Sequence, residues 1–199
     1  MLDEHDQLVV IRGLRDGNRE AWSALYRGYS ADVWRYVARL VGPQSADVAD
    51  VVQETLLAAA RSARQFDVSK GTLWSWLAGI AHRQAALANR RAHRATRVVA
   101  LAESGAAVFR TLCETDLAVD AIWERQELVE IVRWLLAEMS PEYAGLLTGK
   151  YLDEASIEDL SQQWGGSIEA TKSKLARARR EFREQFERVT RTSLSAADP

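Results

Sequence analysis

YLDEASIEDLSQQWGGSIEATKSKLARARREFR, residues 151–183, reads as two short helices around a glycine turn. Ser156 stands where an N-cap belongs, and Ile157, Leu160 and Trp164 share one side of the helix that follows. Gly165-Gly166 makes the turn, and Ser167 caps a second helix whose Ile168, Thr171, Leu175 and Ala178 form an apolar stripe. The opposite face carries Lys172, Lys174, Arg177, Arg179, Arg180 and Arg183. This is the pattern of a helix-turn-helix, and cations on a capped second helix suit a major groove, where they meet phosphates and guanine edges. The alternative is a solvated, salt-bridged surface helix, which Glu169, Glu181, Glu184 and Glu187 would serve.

Working outward, the 199 residues allow one medium domain or two small ones, and a hydrophobic content of 47% suffices for folded cores. Cys113 is the single cysteine, so neither an internal disulfide nor a thiol-rich zinc cluster can be built. The acidic start MLDEHDQLVV and the lack of an apolar run near the roughly 20 residues of a membrane span lead us to expect a cytoplasmic protein without membrane insertion. The three histidines, His5, His82 and His93, have no metal-ligand spacing with carboxylates, and no glycine-rich phosphate loop occurs. We therefore expect no enzyme activity, no metal and no cofactor.

The net charge of −2 hides a segregation. Residues 78–98 hold five arginines and no acid, and residues 161–199 hold eight cations against five acids. Between them, residues 99–160 hold four cations against thirteen acids. Two basic zones around an acidic middle could grip a nucleic-acid backbone at two separated places, although charge blocks also serve to solubilise helices.

Almost every periodic stretch has the helical period, and the expected fold is all-α. Helices are expected over Leu8 to Gly17, Glu20 to Leu40 (ended by Gly42-Pro43), from after Ser45 to about Ala63, and Leu73 to about Arg97. The loop Gln65 to Thr72 precedes the last of these. From 98 to 120 the pattern weakens, and this is the expected linker. Beyond it come Ile122 to Met139, a helix opened by Ser140-Pro141-Glu142, and the helix-turn-helix. The expected organisation is two small helical domains, 1–97 and 121–190, the second a four-helix unit, with a tail at 191–199.

The first half holds its own candidates. Asp50, Gln53 and Glu54 at i, i+3 and i+4 stack on one helical face, a polar knob opposite the apolar stripe Val48, Val51, Val52, Thr55, Leu56 and Ala59. An ordinary exposed helix side would look the same. Trp74 and Trp76, beside Leu73 and Leu77, exceed what one buried face needs, so one of them is expected at the surface, near Arg83, Arg90 and Arg91. An exposed aromatic beside a basic helix stacks unpaired bases while cations hold the backbone; two core tryptophans are the competing reading.

Together the two halves resemble the extracytoplasmic-function (group IV) sigma factors of bacterial RNA polymerase. The resemblance rests on Asp50-Val-Val-Gln53-Glu54-Thr55-Leu-Leu, Phe66-Asp67, Gly71, Trp76-Leu77, Ile80-Ala81 and Arg90-Arg91. In the second half it rests on Tyr151, Ser156, Leu160, Gly165, Ser167, Thr171-Lys172-Ser173-Lys174-Leu175 and Arg177-Ala178-Arg179-Arg180. It implies a dissociable promoter-specificity subunit whose partners are core RNA polymerase, promoter DNA and an anti-sigma factor. Asp50, Gln53 and Glu54 would meet the clamp helices of the largest polymerase subunit. Phe66, Asp67, Lys70, Trp74, Trp76, Arg83, Arg90 and Arg91 would capture the minus-10 element, and Ser167, Thr171, Lys172, Ser173, Lys174, Arg177 and Arg180 would read the minus-35 element.

The chain departs from the family pattern in four places. His82-Arg83 replaces the usual Asn after Ile-Ala-Arg, Leu87 replaces a usual Asp, Glu154 a usual Gly, and Gly166 a usual apolar residue. A stand-alone helix-turn-helix regulator would explain residues 156–183 but would leave 50–91 without a task.

Overall fold

The computed structural model describes residues 4–43, 45–95 and 120–196. They form eight α-helices and two short 3₁₀ turns, with no strand among the described residues. The helices are α1 (Glu4–Arg15), α2 (Arg19–Val41), α3 (Asp47–Ser62), α4 (Leu73–Ala95), α5 (Asp120–Glu138), α6 (Pro141–Tyr151), α7 (Ile157–Trp164) and α8 (Ile168–Ala196). The all-α expectation holds. The expected linker lies, from 98 to 119, outside the described residues.

Local chemistry sets the helix ends. Asn18 caps α2, its side chain accepting from the Glu20 and Ala21 amides at 2.7 and 3.3 Å. Gly42 closes α2 at φ +99°, a left-handed conformation that favours glycine. Ser140 caps α6 ahead of Pro141 at the first turn. Ser156 and Asp159 form a reciprocal capping box at α7. No glycine or proline interrupts the chain between Ser167 and Pro199, so α8 runs on through Ala196. The part of the expected tail from 191 to 196 is therefore helix.

In the first half, α1 to α4 pack around Leu25, Tyr29, Val33, Leu40, Val48, Leu73 and Leu77, all essentially inaccessible. In the second half, Gly145 and Gly149, one turn apart on α6, leave room for Trp164 and Leu160 of α7. Bare backbone at those two positions lets α7 lie close against α6.

The halves are not held apart. One apolar core runs from Val10 through Trp74 and Leu136 to Ala178, so α4 and α2 of the first half pack on α5, α6 and α7 of the second. Trp164 packs against Trp74 (centroids 6.1 Å, 77°) and Tyr36 (6.5 Å, 60°), and Tyr36 stands edge-on to Trp74 at 6.0 Å. Thr72 Oγ1 donates to the Gln163 carbonyl at 2.8 Å, and Arg39 pairs with Asp153 at 3.0 Å. Among the described residues no helix is long and apolar enough to cross a membrane.

Candidate nucleic-acid and partner interface

Along α3, the side chains of Val48, Val51, Val52, Thr55 and Ala59 are buried, which turns Asp50, Gln53 and Glu54 outward, all exposed. The polar knob is therefore real as geometry. The sequence reading missed Leu57, 39% exposed and one turn beyond the trio. Its place three residues after Glu54 and four after Gln53 was the signal that could have found it. An apolar residue ending an acidic stripe suits a protein partner better than solvent alone.

The loop between α3 and α4 is tightly fastened. Asp67 Oδ1 accepts from the Ser69 amide at 3.0 Å and from the Ser69 hydroxyl at 2.8 Å, and Lys70 Nζ lies 3.6 Å from Oδ2. The Ser69 hydroxyl bond, then the amide bond, hold the Asp67 carboxyl below its usual range. Arg15 donates to the Phe66 carbonyl at 2.5 Å, and Arg64 Nε donates to the Arg15 carbonyl at 3.3 Å. An open basin of about 800 Å³ results, whose cations are Arg15, Arg64 and Lys70. Arg15 and Arg64 were not among the sequence-predicted residues, because the basin exists only once α1 folds against the loop.

Three aromatics of the loop region divide in a way that spacing did not reveal. Phe66 and Trp74 are buried, at 5% and 4% exposure, while Trp76 is partly exposed and packs on Phe66 at 5.1 Å. As placed, Phe66 and Trp74 are not stacking platforms for DNA: Phe66 fills the core beneath the loop, and Trp74 is covered by Trp164 and Tyr36. Trp76 is the one with a free surface. Arg83, Arg90 and Arg91 are exposed along α4, and Leu87, 44% exposed, stands among them.

The helix-turn-helix forms as read. α7 ends at Gly165, and the turn uses φ +82° and +109° at Gly165 and Gly166. The Ser167 hydroxyl accepts from the Ala170 amide at 3.2 Å. Ser167, Lys172, Ser173, Arg177 and Arg180 are exposed on α8. Two predicted contacts are not free. Thr171 is 2% exposed, because it lies on the same stripe as the buried Leu175 and Ala178. Lys174 reaches back to Glu142 at 2.6 Å, which ties α8 to the first turn of α6.

A cleft of about 990 Å³ separates the loop from the turn, walled by Val68 to Leu73 on one side and Gln162, Trp164, Gly165 and Gly166 on the other. The tertiary fold thus brings the loop candidates and the mouth of the helix-turn-helix face to face. Asp50, Gln53 and Glu54 remain apart from both, on α3. A separate apolar groove of about 490 Å³ runs over the second half between Leu128, Val132, Leu147, Tyr151, Phe182 and Phe186.

Comparison with known proteins agrees with the first half of this reading. Residues 25–95 match the family model Sigma-70 region 2. That segment, running from within α2 through α4, is what the likeness to Sigma-70 region 2 covers. The chain is also similar to CnrH in a solved structure of CnrH with the cytosolic domain of CnrY. The likeness has 16% identity and a TM-score of 0.48, over 92% of this chain and 97% of that one. No curated protein matches it.

Proposed function

We propose that the chain is a sigma factor of the extracytoplasmic-function type, which binds core RNA polymerase and directs it to promoters. The observation that carries this reading is the Sigma-70 region 2 match over residues 25–95. The helix-turn-helix of α7 and α8, with exposed Lys172, Ser173, Arg177 and Arg180, supports a second DNA contact beyond that region.

In this reading residues 1–97 bind core enzyme and the minus-10 element, and 121–190 read the minus-35 element. Asp50, Gln53 and Glu54, with Leu57 beside them, dock on the polymerase clamp helices. Lys70, Trp76, Arg83, Arg90 and Arg91 hold the minus-10 strand, with Asp67 fixing the loop. Stacking on one partly exposed tryptophan offsets the few kcal/mol that unstacking a base costs. Phe66 and Trp74 join only if the halves separate. Lys172, Ser173 and Arg177 meet the major groove, with Arg180 further along the backbone and Ser167 at the helix start.

The closed arrangement bears on this mechanism. Elements centred about 25 base pairs apart lie roughly 85 Å apart at about 3.4 Å per base pair. Thr72 and Gln163 are in hydrogen-bond contact, so the loop and the turn cannot serve both elements without parting. Core enzyme would hold the parted form, and an anti-sigma factor would oppose it.

The test is capture of bacterial core polymerase by the purified chain, followed by run-off transcription on genomic fragments. Core binding with discrete start sites supports the proposal. A chain that ignores core but shifts duplex DNA by itself would instead be a stand-alone regulator.

A further inference from the structure

His82, 4% exposed on α4, sits where the halves meet, and its two ring nitrogens face different halves. Nε2 lies 3.0 Å from the Ala137 carbonyl of α5. A carbonyl only accepts, so the neutral ring carries its hydrogen on Nε2, and Nδ1 accepts from the Tyr36 hydroxyl of α2 at 2.9 Å. The same hydroxyl is 3.1 Å from the Pro141 carbonyl at the start of α6. One hydrogen cannot fully satisfy both acceptors, so the neutral relay is one proton short. Beside it the indole N–H groups of Trp74 and Trp164 are buried without an acceptor among the described residues. A buried unpaired donor is destabilising, and water would satisfy it once the halves part. The seam is closed by aromatic packing yet carries polar groups that favour opening.

We propose that His82 and Tyr36 form a proton-sensitive latch between the two halves: the neutral imidazole holds them closed, and protonation of the ring releases them. The surroundings decide the sign. Protonation would turn Nδ1 into a donor toward the Tyr36 oxygen and swing the hydroxyl onto Pro141, so the relay can re-form, but with a full charge shut away from water. Glu138 at the end of α5 favours that charge. On α2, the cation one turn beyond Tyr36, Arg39, is engaged by Asp153 and the Leu152 carbonyl. From α6 the Pro141 carbonyl meets the Tyr36 hydroxyl, and Tyr36, raised by burial, stays protonated throughout.

The net effect is that burial holds His82 below its ordinary value, with the Ala137 and Met139 backbone and Glu138 only partly offsetting it. In an open chain the ring meets water and returns toward about 6.5. Because the closed-form value is the lower one, closure is fully present above the open-form value. It is lost as the pH falls from there toward the closed-form value.

The latch rests on the contact between the halves and is independent of the sigma-factor reading, which core capture tests separately. The test uses the full chain with Cys113→Ser and spin labels on Ser69→Cys and Gln162→Cys, exposed residues on opposite walls of the cleft. Pulsed electron-electron distances are compared at pH values of about 7.5 and 5.5, spanning the ordinary histidine value. The expected result is one short distance at the higher pH and loss of that population at the lower, with helix content by circular dichroism unchanged. His82→Gln, which can donate to Ala137 and accept from Tyr36 without titrating, stays short at both. A distance independent of pH, or the same acid shift in H82Q, overturns the proposal. If H82Q does not fold, the midpoint of the distance change is compared with the NMR titration of the His82 ring, and midpoints that differ overturn it equally.

Discussion

Gly145→Ala should destabilise the chain although alanine is the better helix former. A Cβ built on Gly145 would stand 2.6 Å from Cη2 of Trp164 and closer still to Cζ2, well inside ordinary contact. The indole cannot simply slide, because Trp74 and Tyr36 pack against it at 6.1 and 6.5 Å. Alanine contributes about 1 kcal/mol of helix propensity over glycine. Against that, overpacking a filled core costs about 1–3 kcal/mol, and each disturbed aromatic pair about 0.5–1.5 kcal/mol. The net expectation is a loss of about 2–3 kcal/mol, which at about 2–4 °C per kcal/mol for a chain of this size is a fall in Tm of roughly 5–10 °C. Thermal unfolding followed by circular dichroism reads it. Trp164→Leu should remove most of the penalty of a subsequent Gly145→Ala, since the two residues share one contact. A Tm equal to or above that of the parent would refute the reasoning, as would full additivity of the two changes.

Ser156→Ala removes the two hydroxyl bonds of the capping box at α7, leaves the backbone amide of residue 156 on Asp159, and should cost about 1 kcal/mol, measured by urea unfolding near neutral pH. The Ser156 hydroxyl and amide hold Asp159 below its usual range, so this contribution is present above the unfolded carboxylate value. The share carried by the hydroxyl bond to the carboxylate should fade as the pH falls through the lower folded value, narrowing the gap between the parent and S156A without closing it, because the Asp159 amide bond to the Ser156 oxygen does not titrate. Glu154 adopts φ +55°. Relieving that conformation with Glu154→Gly should stabilise by up to about 1 kcal/mol, the left-handed penalty less glycine's extra chain entropy, and a clear loss of stability would contradict it. Replacing Asp50 and Glu54 together by Arg should abolish capture of core polymerase with unchanged helix content; undiminished capture removes these residues from the interface. Lys172→Ala with Arg177→Ala should weaken minus-35-dependent binding and lower the salt slope by about 2 while sparing core association. Equal loss of both activities would count against the division of labour between the halves.

Sequence by itself determined the all-α class, most helix boundaries and the helix-turn-helix, because caps, glycines and apolar periodicity act within a few residues of one another. Ser140-Pro141, Ser156 with Asp159, and Gly165-Gly166 each state their geometry locally. Asp50, Gln53 and Glu54 were legible as an outward face for the same reason, since a single helix fixes which side is apolar. Glu154 was visible as a departure from a glycine position, and its left-handed backbone gives the physical meaning of that departure. Only the tertiary structure decided the fate of Trp74 and Phe66. Helical spacing puts an aromatic on a face, but whether that face meets water depends on what a segment far along the chain lays over it. The same holds for Lys174, tied to Glu142 of α6, for Thr171, buried with Leu175 and Ala178, and for Arg15 and Arg64, joined to the loop by α1. His82 is the furthest case. Its proposed role as a bridge needs Tyr36 and Ala137 each about 3 Å from its ring, and Pro141 as close to the Tyr36 hydroxyl, distances set by long-range packing that no local pattern encodes.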